Sequence, residues 1–202
     1  MNIEDLQAKL NQIWSNTETL KACFVGHGIG NAEKVGFRAY KGLLEKRKND
    51  AREQLIKFLD FINQGKANTM ERNKWGDKIN EISEKNIEIA RELINSFQEG
   101  VLIKNPHYIH IINELGRILV RSRRLDKMTK ELNGLIEEIR KGPEVEREGA
   151  DKIFTIEESF IDNMCEKMEE FGTTGNEQIM HIRASIHKIN EELKKYGEEI
   201  AA

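Results

Sequence analysis

One stretch constrains this chain more than any other. It opens with Asn105-Pro106 and closes with Lys141-Gly142-Pro143. Between those marks Tyr108, Ile111, Leu115, Ile118, Ser122, Leu125, Thr129, Leu132, Ile136 and Ile139 recur at alternating spacings of three and four. Residues so spaced share one side of an α-helix. Asn caps free N–H groups, Pro suits the first helical position, and Gly-Pro ends a helix. The pattern predicts one helix over about 106–141, roughly 54 Å long at 1.5 Å per residue. Its seam takes a polar step at Ser122 and Thr129.

Such a seam needs cover, and the rest of the chain supplies it. Ile3, Leu6, Leu10, Ile13, Thr17, Leu20 and Phe24 predict a first helix over 3–24, with Trp14 beside the stripe. Gly26-His27-Gly28-Ile29-Gly30 then breaks it, because three glycines in five residues cost too much backbone entropy. Asn31 caps a helix over 32–63, with Phe37, Tyr40, Leu44, Leu55, Phe58 and Ile62 on its apolar side. A further helix over 69–99 carries Trp75, Ile79, Ile82, Asn86, Ile89, Leu93 and Phe97, and Val101-Leu102-Ile103-Lys104 connects it to the long one.

Past Pro143 the chain changes character. Residues 143–151 are acidic and aperiodic, as a linker is, and divide a core of 1–142 from a C-terminal 152–202. Thr155-x-x-Glu158 and Thr174-x-x-Glu177 are both capping boxes. They predict a helical hairpin that turns at Phe171-Gly172 and packs on the core or on a partner chain. Ile156, Phe160, Met164, Met168 and Phe171 mark its first arm; Ile179, Ile182, Ile186, Ile189, Leu193, Tyr196 and Ile200 mark its second.

No segment alternates with period two, and there are only two prolines in 202 residues. The expected fold is all-α: an elongated antiparallel helical bundle of about six helices with coiled-coil-like heptad seams. Cys23 and Cys165 are too few for a disulfide framework, so a reducing, cytoplasmic setting is expected. The N-terminal Met-Asn-Ile-Glu-Asp-Leu lacks the pattern of a signal peptide, and no apolar run approaches the roughly 20 residues of a membrane helix.

Three local constellations invite a chemical reading. The glycine loop, with Gly26, His27, Gly28, Gly30 and Asn31, precedes a helix start, where backbone N–H groups can hold an anion. It lacks the third fingerprint glycine, since Asn31 stands there, and it follows a helix instead of a strand. His107, His110 and Glu114 share one helix face at i, i+3 and i+7, which is half of a zinc or iron site. Cys23 and His27 are four apart, but no third group orients them as a nucleophile pair requires. Each has a plainer reading as a turn, a pair of boundary histidines, or a buried thiol. No catalytic set is complete and no cofactor is expected.

Charge is the remaining signal. Arg117, Arg121, Arg123, Arg124, Lys127 and Lys130 crowd the middle of 106–141, and Lys34, Arg38 and Lys41 lie early in 32–63. The residues from 137 to 170 are predominantly acidic and could neutralise them in cis or across subunits. Narrow seams, segregated charge and no complete catalytic set together lead to a non-catalytic protein–protein interaction module. Its expected role is adaptor, inhibitor or structural component, and it self-associates. A nucleic-acid or polyanion binder through the basic patch is the alternative, although no aromatics interleave with those arginines. An enzyme or small-ligand sensor using loop 26–30 or the bundle interior is the third.

Overall fold

The computed structural model describes four segments, and all four are helical. They are α1 (Ile3–His27), α2 (Thr69–Glu99), α3 (Pro106–Lys141) and α4 (Glu158–Ala201). Among the described residues there is no strand. The expected helix at 32–63, the connector 101–104 and the linker 143–151 lie outside them.

Each seam turns inward over most of its described length. On α1, Leu6, Leu10, Ile13, Thr17, Leu20 and Phe24 are buried, and on α3 so are Tyr108, Ile111, Leu115, Ile118, Ser122, Leu125, Thr129 and Leu132. On α2 the buried set runs from Ile79 through Ile82, Asn86, Ile89 and Leu93 to Phe97. Fully burying an aliphatic side chain of this size stabilises by about 1.5–3 kcal/mol, so packing, more than propensity, holds these helices.

The described residues fall into two compact units. The first takes in Met1–Cys23, Lys78–Lys127 and Asn176–Ala202. In it Lys9 pairs with Glu92, and Asn16 Nδ2 donates to Asn86 Oδ1 at 2.8 Å. Residue numbers rise on α1 as they fall on α2, so the two helices are antiparallel. The α3–α4 contacts follow the same rule. His107 meets Glu192, Glu114 meets Ser185, and Arg121 meets Gln178. Three partners seven apart on α3 meet three partners seven apart on α4, in reverse order. This ladder flanks the seam and pins the register of the pair. At one end Tyr108 stands between Phe97 and Tyr196, with ring centroids 5.5 and 5.4 Å away. Burial and the Tyr196 hydroxyl push the Tyr108 phenol up to about 12.

The second unit takes in Phe24–Asp77 and Met128–Gly175. Phe24 stacks on Phe171 with centroids 4.6 Å apart. Lys167 Nζ lies 2.8 Å from Glu131 Oε2 and 3.4 Å from Glu170 Oε2.

The hairpin expected over 152–202 is instead a single helix of 44 residues. Its Phe171-Gly172 turn is absent, and Gly172, Thr174 and Gly175 are helical. A capping box is a local signal, on the order of 1 kcal/mol. Against it stands a periodicity that continues without a break: Phe171, Gly175, Gln178, Ile182, Ser185 and Ile189 step by fours and threes, and all are buried. Continued burial outweighs the cap. The described helices therefore number four, against about six expected.

Two smaller expectations shift as well. The first helix runs on to His27, three residues past its expected end. Trp75, expected in the α2 seam, is 38% exposed, while its neighbour Gly76 is buried against Asn133. With no side chain at Gly76, Asn133 fits against the helix there, and the inward position moves by one residue.

Candidate interaction surface

The polar residues of α3 divide by side. Those on the α4 side are occupied. His107 Nδ1 lies 2.7 Å from Glu192 Oε2, and Lys195 donates to the other carboxylate oxygen at 2.9 Å. These two contacts hold the Glu192 carboxyl down at about 2. Glu114, only 12% exposed, accepts from Ser185 Oγ at 2.7 Å and from Arg117 at 2.5 Å, with Lys188 Nζ 3.8 Å away. Arg121 is half-buried and donates to the side-chain oxygen of Gln178 at 2.9 Å.

His107, His110 and Glu114 are therefore sent to different places. The first two contact α4 residues or solvent, and Glu114 is enclosed by cations and a hydroxyl. Among the described residues no group of three metal-ligating side chains gathers. Cys23 is buried, and that burial pushes its thiol up, against the weaker pull of Lys78. A raised thiol is the reverse of an activated one. Gly26 and His27 end α1, while Gly28, Gly30 and Asn31 lie outside the described residues, as do Lys34, Arg38 and Lys41.

The side of α3 turned away from the core carries exposed aliphatic side chains. Ile109 is 51% exposed and Val120 59%. Eleven residues are just over three whole turns, so the two lie close to one line, about 16 Å apart. Between them Ile112 is half-buried, and among the described residues no atom lies within 4 Å of where a Cβ on Gly116 would stand. Arg123, Arg124 and Lys127 are exposed and follow on the same side. Arg117 is exposed too, though held by Glu114. In the other unit, Lys130 is also exposed. The face thus changes along its length from apolar to basic.

Ile109 and Val120 did not figure in the seam pattern because they lie outside it. An i, i+11 pair of β-branched residues on the same helix line as Asn113, Gly116 and Lys127 was the available signal. Gln178, Ser185 and Glu192 were also missed; their seven-residue spacing matches that of His107, Glu114 and Arg121. The interior holds a further surprise. Ser83, Asn86 and Ser122 are fully buried, and among the described residues Ser83 Oγ, Asn86 Nδ2 and Ser122 Oγ make no hydrogen bond. Thr17 avoids that state by donating to the Ile13 carbonyl at 2.7 Å.

The sequence matches no protein-family model, and no curated protein or solved structure matches it. No helix among the described residues is long and apolar enough to cross a membrane.

Proposed function

We propose that this chain is a non-catalytic, self-associating helical module that acts by protein–protein contact through the outward face of α3. The observation that carries this reading is the exposure of Ile109 and Val120 on one line of that helix. Ile109, the half-buried Ile112 and Val120 set aliphatic side chains at intervals along three turns of one face, a surface that a partner helix can cover. The cations at one end of the stripe give such a partner a direction, because a charged rim fixes orientation more than it adds affinity.

A bare polyanion surface fits less well. Phosphate recognition gains nothing from the apolar half of this face, and the ion pairs along α3 occupy part of its charge. The test is the mass of the native protein over a range of concentration, compared with an Ile109→Ser/Val120→Ser variant. Both substitutions are at exposed positions, so the fold is expected to survive. The native chain is expected to associate and the variant to do so at least about tenfold more weakly, as for a lost interface centre. Equal behaviour of the two proteins would count against this face. Retained binding of the variant to RNA at low salt, lost on Arg123→Glu/Arg124→Glu, would favour the polyanion reading instead.

A further inference from the structure

The first unit carries a polar layer inside its seam, and we infer that this layer binds one internal water molecule, shared by Ser83 and Asn86 of α2 and Ser122 of α3. Contacts elsewhere on the same helices bring these residues together. Phe97 of α2 meets Tyr108 of α3 with ring centroids 5.5 Å apart. Only residues 100–105 separate the two helices, so the chain turns back there and they run antiparallel. Fourteen residues back from Phe97 is Ser83, and fourteen on from Tyr108 is Ser122. Each serine thus lies about 21 Å along its helix from the aromatic pair, and each is fully buried. Ser83 and Ser122 are therefore level, on the inner sides of α2 and α3. Asn86 stands one turn from Ser83, and its side-chain oxygen accepts from Asn16 of α1. Thr17, next to Asn16, is buried as well.

Above and below this layer the interior is apolar. Ile13 and Leu20 on α1, Ile79 and Ala90 on α2, and Ile118 and Leu125 on α3 are all fully buried. Bulk solvent does not reach between them, so each polar group of the layer needs a partner of its own. Thr17 Oγ1 finds one in the Ile13 carbonyl, and Asn86 Oδ1 in Asn16. Ser83 Oγ, Asn86 Nδ2 and Ser122 Oγ find none among the described residues.

Three such atoms in one layer suit a single water, which when buried makes about three hydrogen bonds to groups of this kind. The Asn86 amide nitrogen can only donate, so the water accepts from it. A serine hydroxyl turns to give or to take, so the water bonds both serines with its remaining capacity. Two serines also fill less of their layer than Ala90 with Leu115 or Phe97 with Tyr108, the pairs one and two heptads away. That leaves the water its place between the same three atoms. So bound, it ties α2 to α3 and, through Asn86 and Asn16, to α1. A slide of α2 by one heptad would set Ser83 level with Leu115 or Thr129 and break the site, so the water also fixes register.

The test uses the full chain and three variants: Ser83→Ala, Ser122→Ala and the two combined. Alanine keeps both positions small and helical, so all three are expected to fold. Relaxation dispersion of water oxygen-17 counts long-lived internal waters and is blind to exchange of hydroxyl protons. The count is expected to fall by one from the native chain to the combined variant. In urea, each single variant is expected to unfold at a lower midpoint than the native chain. The combined variant is expected to lose less than the sum of the two, because each removes the same bridge.

An unchanged count would overturn the site, whatever the midpoints do. Losses that add in full would overturn the sharing, since each hydroxyl would then have a separate partner elsewhere in the chain. Midpoints that rise in both single variants would show that neither hydroxyl is bound, and would overturn it too.

Discussion

The ring of Phe24 closes over Gly175. A methyl group built on Gly175 would come within 2.9 Å of Phe24 Cζ and 3.3 Å of Cδ1. Contact this close needs a residue with no side chain, which explains a glycine in the interior of a long helix. Gly175→Ala should therefore destabilise the protein by about 1–3 kcal/mol through overpacking, although Ala favours a helix over Gly by about 1 kcal/mol. Among the described residues Gly134 has no neighbour within 4 Å of a Cβ, and Gly134→Ala should stabilise by up to about 1 kcal/mol. Urea unfolding of the two variants is expected to give opposite signs.

The interior of α2 and α3 offers a second comparison. Ser83 Oγ and Ser122 Oγ are buried and make no hydrogen bond among the described residues. Removing a hydroxyl that holds an internal water leaves that water short of a partner. Ser83→Ala and Ser122→Ala are expected to cost about 0.5–1.5 kcal/mol each. A neutral or stabilising result in urea unfolding would mean that no water bridges these hydroxyls.

Glu114 and Arg117 share an ion pair yet should respond unequally. Arg117 is exposed, and an exposed pair contributes about 0–1 kcal/mol. Glu114 is nearly enclosed and also takes the Ser185 hydroxyl. Glu114→Ala leaves that hydroxyl without its acceptor and should cost about 1–3 kcal/mol. Arg117→Ala should change stability by less than about 1 kcal/mol. Equal effects in thermal or urea unfolding would contradict the geometry.

Acid should reveal Glu192. Its carboxyl is lowered from 4.5 to about 2 by His107 first and Lys195 next. A carboxyl depressed in the folded state binds protons more weakly there than when unfolded. Its stabilising contribution is thus fully present above about pH 4.5 and is lost as pH falls toward 2. Glu192→Gln is expected to flatten that part of the stability curve. Glu81, lowered to about 2 by Lys85 and Lys78, is an exposed case. Added salt should shrink its share.

Much of this architecture was legible in spacing alone. From Leu6 to Phe24 and from Tyr108 to Leu132, every described position in the expected seams is buried, because a three-four spacing leaves a helix only one side to hide. The end signals were less trustworthy. Thr174-x-x-Glu177 has the form of a helix start, yet the helix passes through it. What decides there is whether Phe171 and Gly175 find partners, and that is settled by Phe24, far earlier in the chain. Trp75 misled for a related reason. Its inward place belongs to Gly76, and only the nearness of Asn133 reveals it.

The candidate surface was legible only in half. A cluster of arginines stands out in a sequence, so Arg117 to Lys127 could be named. Their apolar companions could not, since Ile109 and Val120 resemble core residues until the core is seen to exclude them. Arg121 counts the other way: it reads as part of the patch, but it turns toward Gln178.

Self-association through the outward face of α3 is what we propose for this chain. Its most direct test is the mass of the native protein by sedimentation, from about 1 µM to about 500 µM, a range that brackets weak and moderate affinities. The expected result is a mass that rises from the 23.4 kDa of one chain toward twice that value. The rise should vanish in Ile109→Ser/Val120→Ser. A native mass that stays at that of one chain across the whole range would contradict it.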